Sequence, residues 1–152
     1  MVEEPKVLTA TPVIDTAIYA SGDLIGTKMT LAGAAKLSRV GRINSIVIAD
    51  QAKQDAAIDV IFFDSNPSTT TFTDNAALDV ADADTLKIIA SVKIVAADYS
   101  DFADNSVATK AVDLGFATVG GGDLYACLVS RGTPTYAAAT DLQLRVVVLQ
   151  NP

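Results

Sequence analysis

"RINSIVIADQAKQDAAIDVIFFD", residues 42–64, holds two short runs from which the fold class is read. Each is rich in Ile and Val, the residues that suit a pleated, half-buried surface, and the polar "QAKQD" between them has the length of an ordinary connection. They read as neighbouring strands, compatible with a hairpin.

The same reading extends outward in both directions. Upstream, "PKVLTATPVIDTAIYA" carries Pro5 and Pro12, which cannot donate to a ladder, so it is placed at a sheet edge or in an arm covering residues 1–20. In "SGDLIGTKMTLAGAA" the set Ile25, Thr27, Met29 and Leu31 is the more apolar and is expected to face inward. Downstream come "SVKIVAAD", "VATKAVDLGFATV", "LYACLVSRG" and "LQLRVVVLQ", punctuated by Gly120–Gly122 and by "GTPTYAAATD". One short helix is expected in "DADTLKIIASV", capped by Asp82 or Asp84 with Leu86, Ile89 and Ala90 on one face, and a turn of helix around Asn75–Leu78. About eight strands without βαβ alternation predict an all-β fold, an antiparallel, jelly-roll-like β-sandwich spanning residues 21–152 as one domain.

Composition narrows the function. Half of the 152 residues are hydrophobic and mean hydropathy is +0.35, yet aromatics are 6% and Trp is absent, so the core is aliphatic. Asp59, Lys87 and Arg145 interrupt the apolar runs well short of the roughly 18 residues a membrane helix needs, and "MVEEPKV" does not read as a secretory signal. No membrane association is expected, and synthesis in a cytoplasm is. Eighteen acids against eleven bases give a net charge of −7, which repels phosphate backbones, so nucleic acid is not an expected partner. The sole cysteine, Cys127, reads as a packed strand residue.

With no His, the Ser-His-Asp and Cys-His arrangements and His-based zinc sites are excluded. "VGGGD" is followed by a strand-like run where a phosphate loop would need a helix, so it reads as a turn. Asp64, Asn66, Asp74, Asn75, Asp79, Asp82 and Asp84 are hard oxygen donors close in sequence, but the spacing lacks the central Gly and closing Glu of an EF-hand loop. Turn and cap chemistry is the reading preferred for them, and neither a metal, a cofactor nor a catalytic residue is expected. Lys36, Arg39 and Arg42 form the densest basic stretch in an acidic chain. A solvated loop is the default reading of this stretch, and the alternative is contact with an acidic patch on a partner, for which Arg's planar fork would suit a carboxylate.

Residues 62–94, "FFDSNPSTTTFTDNAALDVADADTLKIIASVKI", resemble a segment of small virion proteins of tailed bacteriophages, and "LYACLVSRGTPTYAAATDLQLRVVVLQ" is similar to the end of the same proteins. The resemblance, spanning the chain from about Lys28 onward, implies a capsid decoration or cement protein. Such a protein is a structural, non-enzymatic β-sandwich on the outer surface of the head that bridges major capsid subunits and self-associates, with a trimer favoured over a dimer. Interface positions are expected in the arm (Pro12, Val13, Ile14), in the basic loop (Lys36, Arg39, Arg42) and in the polar excursion (Phe72, Asp74). The rival reading is a glycan-binding or host-attachment module whose rim is Ser65–Asn75, with a thin stacking surface because Trp is absent.

Overall fold

In the computed structural model, which describes residues 2–152, the last strand shows how sequence sets the layers. In β9 (Leu142–Gln150) the even positions Leu142, Leu144, Val146 and Val148 are buried and the odd ones face out, the period-2 signature of a strand. β9 is flanked by β1 (Glu4–Ala10) and β3 (Val40–Asp50). β3 pairs onward with β7 (Ser106–Ala117), and β7 with the short β6 (Tyr99–Asp101). The facing sheet runs β2 (Leu24–Leu31), β8 (Leu124–Ser130), β4 (Ile58–Phe63), β5 (Ile88–Ile94). Every pairing is antiparallel. First strand meets last, second meets eighth, third meets seventh and fourth meets fifth, as in one long hairpin wrapped around itself. That order is a jelly roll, and it bears out the all-β sandwich read from the sequence.

Four local expectations are corrected. The two runs of residues 42–64 are not a hairpin, because β3 and β4 belong to different sheets and 51–57 crosses the end of the sandwich. Asp50 holds that crossing: its buried carboxylate accepts the amides of Ala52, Gln54 and Asp55 at 3.0, 2.8 and 3.1 Å. Simple alternation also fails in β2, where a register shift lies between Ile25 and Met29. Leu24, Ile25 and Gly26 are all buried there and Thr27 is exposed. Gly26 carries the bulge, with φ +77 and a position where a Cβ would stand 2.6 Å from the Pro12 Cβ. Finally, the expected helix is a single turn, α1 (Asp82–Thr85), without a side-chain cap; Leu86 is exposed, and the chain has become β5 by Ile88. Pairing Ile88–Ile94 with β4 satisfies the backbone and buries Ile94, which a helix of mixed propensity could not match. Asn75–Leu78 is a turn bridged to Asp23, not a helix.

The core between the sheets is aliphatic, built on Ile43, Ile46, Ile48, Ile58, Val60 and Leu128, with Phe62 among them. Burying each such side chain contributes about 1.5–3 kcal/mol. At one edge Tyr19 and Tyr136 meet edge-to-face at 6.0 Å. The Tyr19 hydroxyl accepts from the Asp15 amide and donates to Asp74, both at 2.7 Å, while the buried Tyr136 hydroxyl has no partner among the described residues. Urea unfolding is therefore expected to show Tyr19→Phe costing about 1–2 kcal/mol and Tyr136→Phe less than about 0.5 kcal/mol.

Residues 4–10 are an edge strand paired within the chain, and Pro12, Ile14 and Tyr19 beyond it are buried. Deleting residues 1–20 is expected to lower the melting temperature by more than about 10 °C, read by circular dichroism, because it strips β9 of a partner and opens the core. An unchanged melt would show these residues to be a detachable arm.

Candidate interfaces

The polar excursion joining β4 to β5 is built as a cover. Asp84, fully buried, accepts from the Thr69 amide (2.9 Å), the Thr70 amide (2.6 Å), the Thr70 hydroxyl (2.7 Å) and the Lys87 ammonium (2.7 Å). Lys87 also donates to the Asn66 carbonyl at 2.8 Å, so one ion pair closes both ends of the segment. Asp74 accepts from Tyr19 and from the Gly26 amide, pinning the middle of the excursion to β2. Leu24 and Asn75–Ala76 exchange backbone bonds of 2.9 Å. Beneath this cover Leu24, Phe63 and Cys127 form a second, smaller core, with Phe72 edge-on to Phe63 and the Lys28 ammonium 5.7 Å above the Phe72 ring. The outer face of the β2-β8-β4-β5 sheet is thus covered by the chain itself over Leu24, Phe63 and Cys127, while Ser91 and Lys93 of β5 stay exposed.

Burial beneath the cover pushes the Cys127 thiol up to about 12. A thiol reagent at pH 8 is expected to label the folded protein at least about a hundredfold more slowly than the urea-unfolded chain. Comparable rates would show that the cover opens readily.

The other sheet has no such cover. Its register sets four rows across the outer face: Pro5–Leu149–Arg42, Val7–Val147–Ser45–Ala111, Thr9–Arg145–Val47–Thr109, and Gln143–Ala49–Val107. Arg42 pairs with Asp113, at the register shift of β7 between two of these rows, at 3.0 Å, and among the described residues Arg145 has no ionic partner. Val47, Ala49, Val107, Gln143 and Arg145 rim a shallow hollow of about 100 Å³. In a chain of net charge −7 this face is nearly free of acid and mostly aliphatic.

A third feature closes one end of the sandwich. Leu37, fully exposed, stands between Lys36 and Arg39 beside a groove of about 720 Å³ that Ala35, Gly121 and Gly122 help to line. The loop is held firmly: the Ala35 amide donates to the Gly122 carbonyl at 2.8 Å, and the Arg39 carbonyl accepts from the Thr118 amide at 2.8 Å. Gly122 is needed because a Cβ there would meet the Ala35 oxygen at 2.6 Å. Arg39 has φ +58, a left-handed conformation costing roughly 1 kcal/mol for a residue with a side chain.

The structure brings Lys36 and Arg39 together at this groove and sets Arg42 apart on the bare sheet. Val13 is exposed whereas Pro12 and Ile14 are buried, and Phe72 and Asp74 are engaged inside the cover. Sequence reasoning missed Val47, Arg145 and Val147. The available signal was "VVVL" in β9, where the outward positions Val147 and Leu149 are as apolar as the inward ones. Among the described residues no group of three or more acids or cysteines converges on a metal-sized site.

No family model matches the chain, and no curated protein does. Among solved structures, it is similar to the infectious bursal disease virus VP2 subviral particle at 12% identity and TM-score 0.42, covering 99% of this chain and 33% of that one. A native virion of Kashmir bee virus at neutral pH aligns at 10% identity and TM-score 0.29, covering 99% of this chain and 70% of the other. A family two carbohydrate esterase from Cellvibrio japonicus aligns at 11% identity and TM-score 0.22 over 96% of this chain and 34% of the other. The chain spans about a third of the first of these. At such scores the likenesses assign no function; the strand order defines the fold.

Proposed function

We propose that the chain is a structural virion protein that binds the outer surface of a tailed-phage head through the bare β1-β9-β3-β7 face and bridges neighbouring major capsid subunits. Jelly rolls serve in viral capsid and lectin domains, and the fold by itself chooses neither. The observation carrying the proposal is the asymmetry of the two sheets: the apolar part of one outer face is covered by residues 64–87 and its uncovered edge is polar (Ser91, Lys93), whereas the other is left aliphatic and nearly acid-free in an acidic protein. A face of that kind lowers the desolvation cost of docking and leaves Arg145 to meet a partner carboxylate, while the acidic remainder is repelled from DNA. Binding only to the assembled shell adds RT ln(1 + [L]/Kd) at each site, and repetition over a shell multiplies the term. The resemblance of residues 62–94 to small phage virion proteins supports the same reading.

Purified protein mixed with heads assembled without it is expected to co-sediment at a fixed ratio to the major shell subunit and to raise the temperature at which heads burst. No co-sedimentation at tens of micromolar would overturn the reading. One observation favours the rival: Thr69, Thr71, Thr73 and Asp79 border a polar hollow of about 390 Å³ on the cover, suited to a hydroxyl-rich ligand. Phe72 is turned inward there, leaving no stacking platform. Glycan-array binding without head binding would favour that reading.

A further inference from the structure

At the end of the sandwich opposite the Leu37 groove, the turn joining β6 to β7 holds an aromatic ring out into solvent. Phe102 is 57% exposed between the exposed acids Asp101 and Asp104. The turn is fixed: the Phe102 amide donates to the Asn105 carbonyl at 2.8 Å, and the Lys53 ammonium donates to the Phe102 carbonyl at 2.6 Å. Lys53 reaches Asp101 only at 3.9 Å, and among the described residues Asp104 has no cationic partner. An exposed aromatic whose backbone is already ordered binds at low entropic cost, the usual character of an interface anchor.

The two ends are complementary. One presents an apolar groove and a fully exposed leucine flanked by Lys36 and Arg39; the other presents a phenyl ring flanked by two carboxylates. Lys36 is partly satisfied by Glu4, whereas among the described residues the Arg39 side chain has no partner. Asp123, in the adjoining loop, is committed to the Gly33 amide at 2.7 Å and does not cancel Arg39. Val40 pairs with Ala117 beside the groove and Asp50 pairs with Ser106 beside the turn, so the 11-residue β3 separates the ends by about 30 Å. One molecule cannot satisfy both sites by itself, but a second copy can.

We infer that copies of this chain join head to tail, the Phe102 turn of one entering the Leu37 groove of the next with Asp101 and Asp104 against Arg39 and Lys36. Such a joint is heterologous, producing rings or rows rather than a two-fold dimer. It leaves the bare sheet free, and linking shell-bound copies would raise their avidity without any new shell contact.

Sedimentation of the full chain without heads tests this separately from the proposed function. The wild type is expected to associate with increasing concentration, less so at high salt. Leu37→Asp and Phe102→Asp, both at exposed positions, are expected to remain folded and to be monomeric at protein concentrations where the wild type associates, a loss of at least about thirtyfold in affinity. Mixed in equal amounts, the two variants are expected to form a 1:1 pair that grows no further, because one intact turn meets one intact groove. Arg39→Gly, which removes the left-handed strain, is expected to melt no lower than wild type yet associate more weakly. A monomeric wild type at millimolar concentration, undiminished association of Phe102→Asp, or a mixture of the two variants that stays monomeric would each overturn the inference.

Discussion

Asp84→Ala is expected to lower the melting temperature by about 5–10 °C and to make residues 64–87 the first site of proteolytic cleavage. The carboxylate is fully buried and holds four donors from Thr69, Thr70 and Lys87. Removing it orphans the Thr69 and Thr70 amides and leaves the Lys87 ammonium with the Asn66 carbonyl alone, and orphaned donors destabilise more than a lost hydrogen bond does. The cover then loses its closure, and the Leu24, Phe63 and Cys127 cluster is opened to water. Burial alone would raise the Asp84 pKa, but the Lys87 and Thr70 side chains and the amides of Thr70 and Thr69 outweigh it and hold the group well below the usual carboxylate range. A depressed folded pKa means that the stabilisation is complete above about pH 4, the unfolded value, and is lost as pH falls through the folded one. Asp50 acts oppositely: burial raises its pKa against three amide hydrogen bonds, so its effect on stability becomes less favourable as pH rises past the unfolded value. Wild type should therefore show cover loosening in acid, seen as pepsin cleavage within residues 64–87 under conditions where the main transition is still distant. Asp84→Ala should show that looseness at pH 7. A variant that melts with wild type and labels no faster would refute the cover.

Val147→Asp is expected to weaken head binding by at least about a hundredfold while the isolated protein stays folded. Val147 lies mid-row between Val7 and Ser45, so the new carboxylate would sit in the middle of the proposed contact. Burying an unpaired charge at an interface centre costs several kcal/mol, enough for that loss. Arg145→Glu, one row away, should weaken binding by a smaller factor that shrinks at high salt. Equal binding by wild type and both variants, measured by co-sedimentation with heads, would move the contact elsewhere.

Much of the fold was legible because alternation and β-branched runs survive in single strands. "LQLRVVVLQ" and "AAIDVIFFD" are β9 and β4, and the absence of βαβ spacing pointed to a sandwich. The failures share a cause: partners distant in sequence decide them. Residues 82–92 carry both a helical face and a β-branched run, and pairing of Ile88–Ile94 with β4 selected the strand. Gly26 looked like one more alternating position, and only Pro12, folded against it, demands the bulge. Of the acids in residues 64–84, the local pairing of Asp84 with Lys87 was visible as an i, i+3 spacing. The Thr69 and Thr70 donors that turn it into a closure lie 15 and 14 residues away. Lys36 and Arg39 stood out by charge, whereas the bare face consists of ordinary aliphatic residues whose meaning appears only once the opposite sheet is seen to be covered.

The most direct measurement is a cryo-electron microscopy map of heads saturated with the protein, at a resolution that separates the two sheets. The β1-β9-β3-β7 face is expected against the shell, with Arg145 and Val147 at the contact and residues 64–87 pointing outward. A map with the 64–87 cover against the shell and the bare sheet in solvent would contradict it.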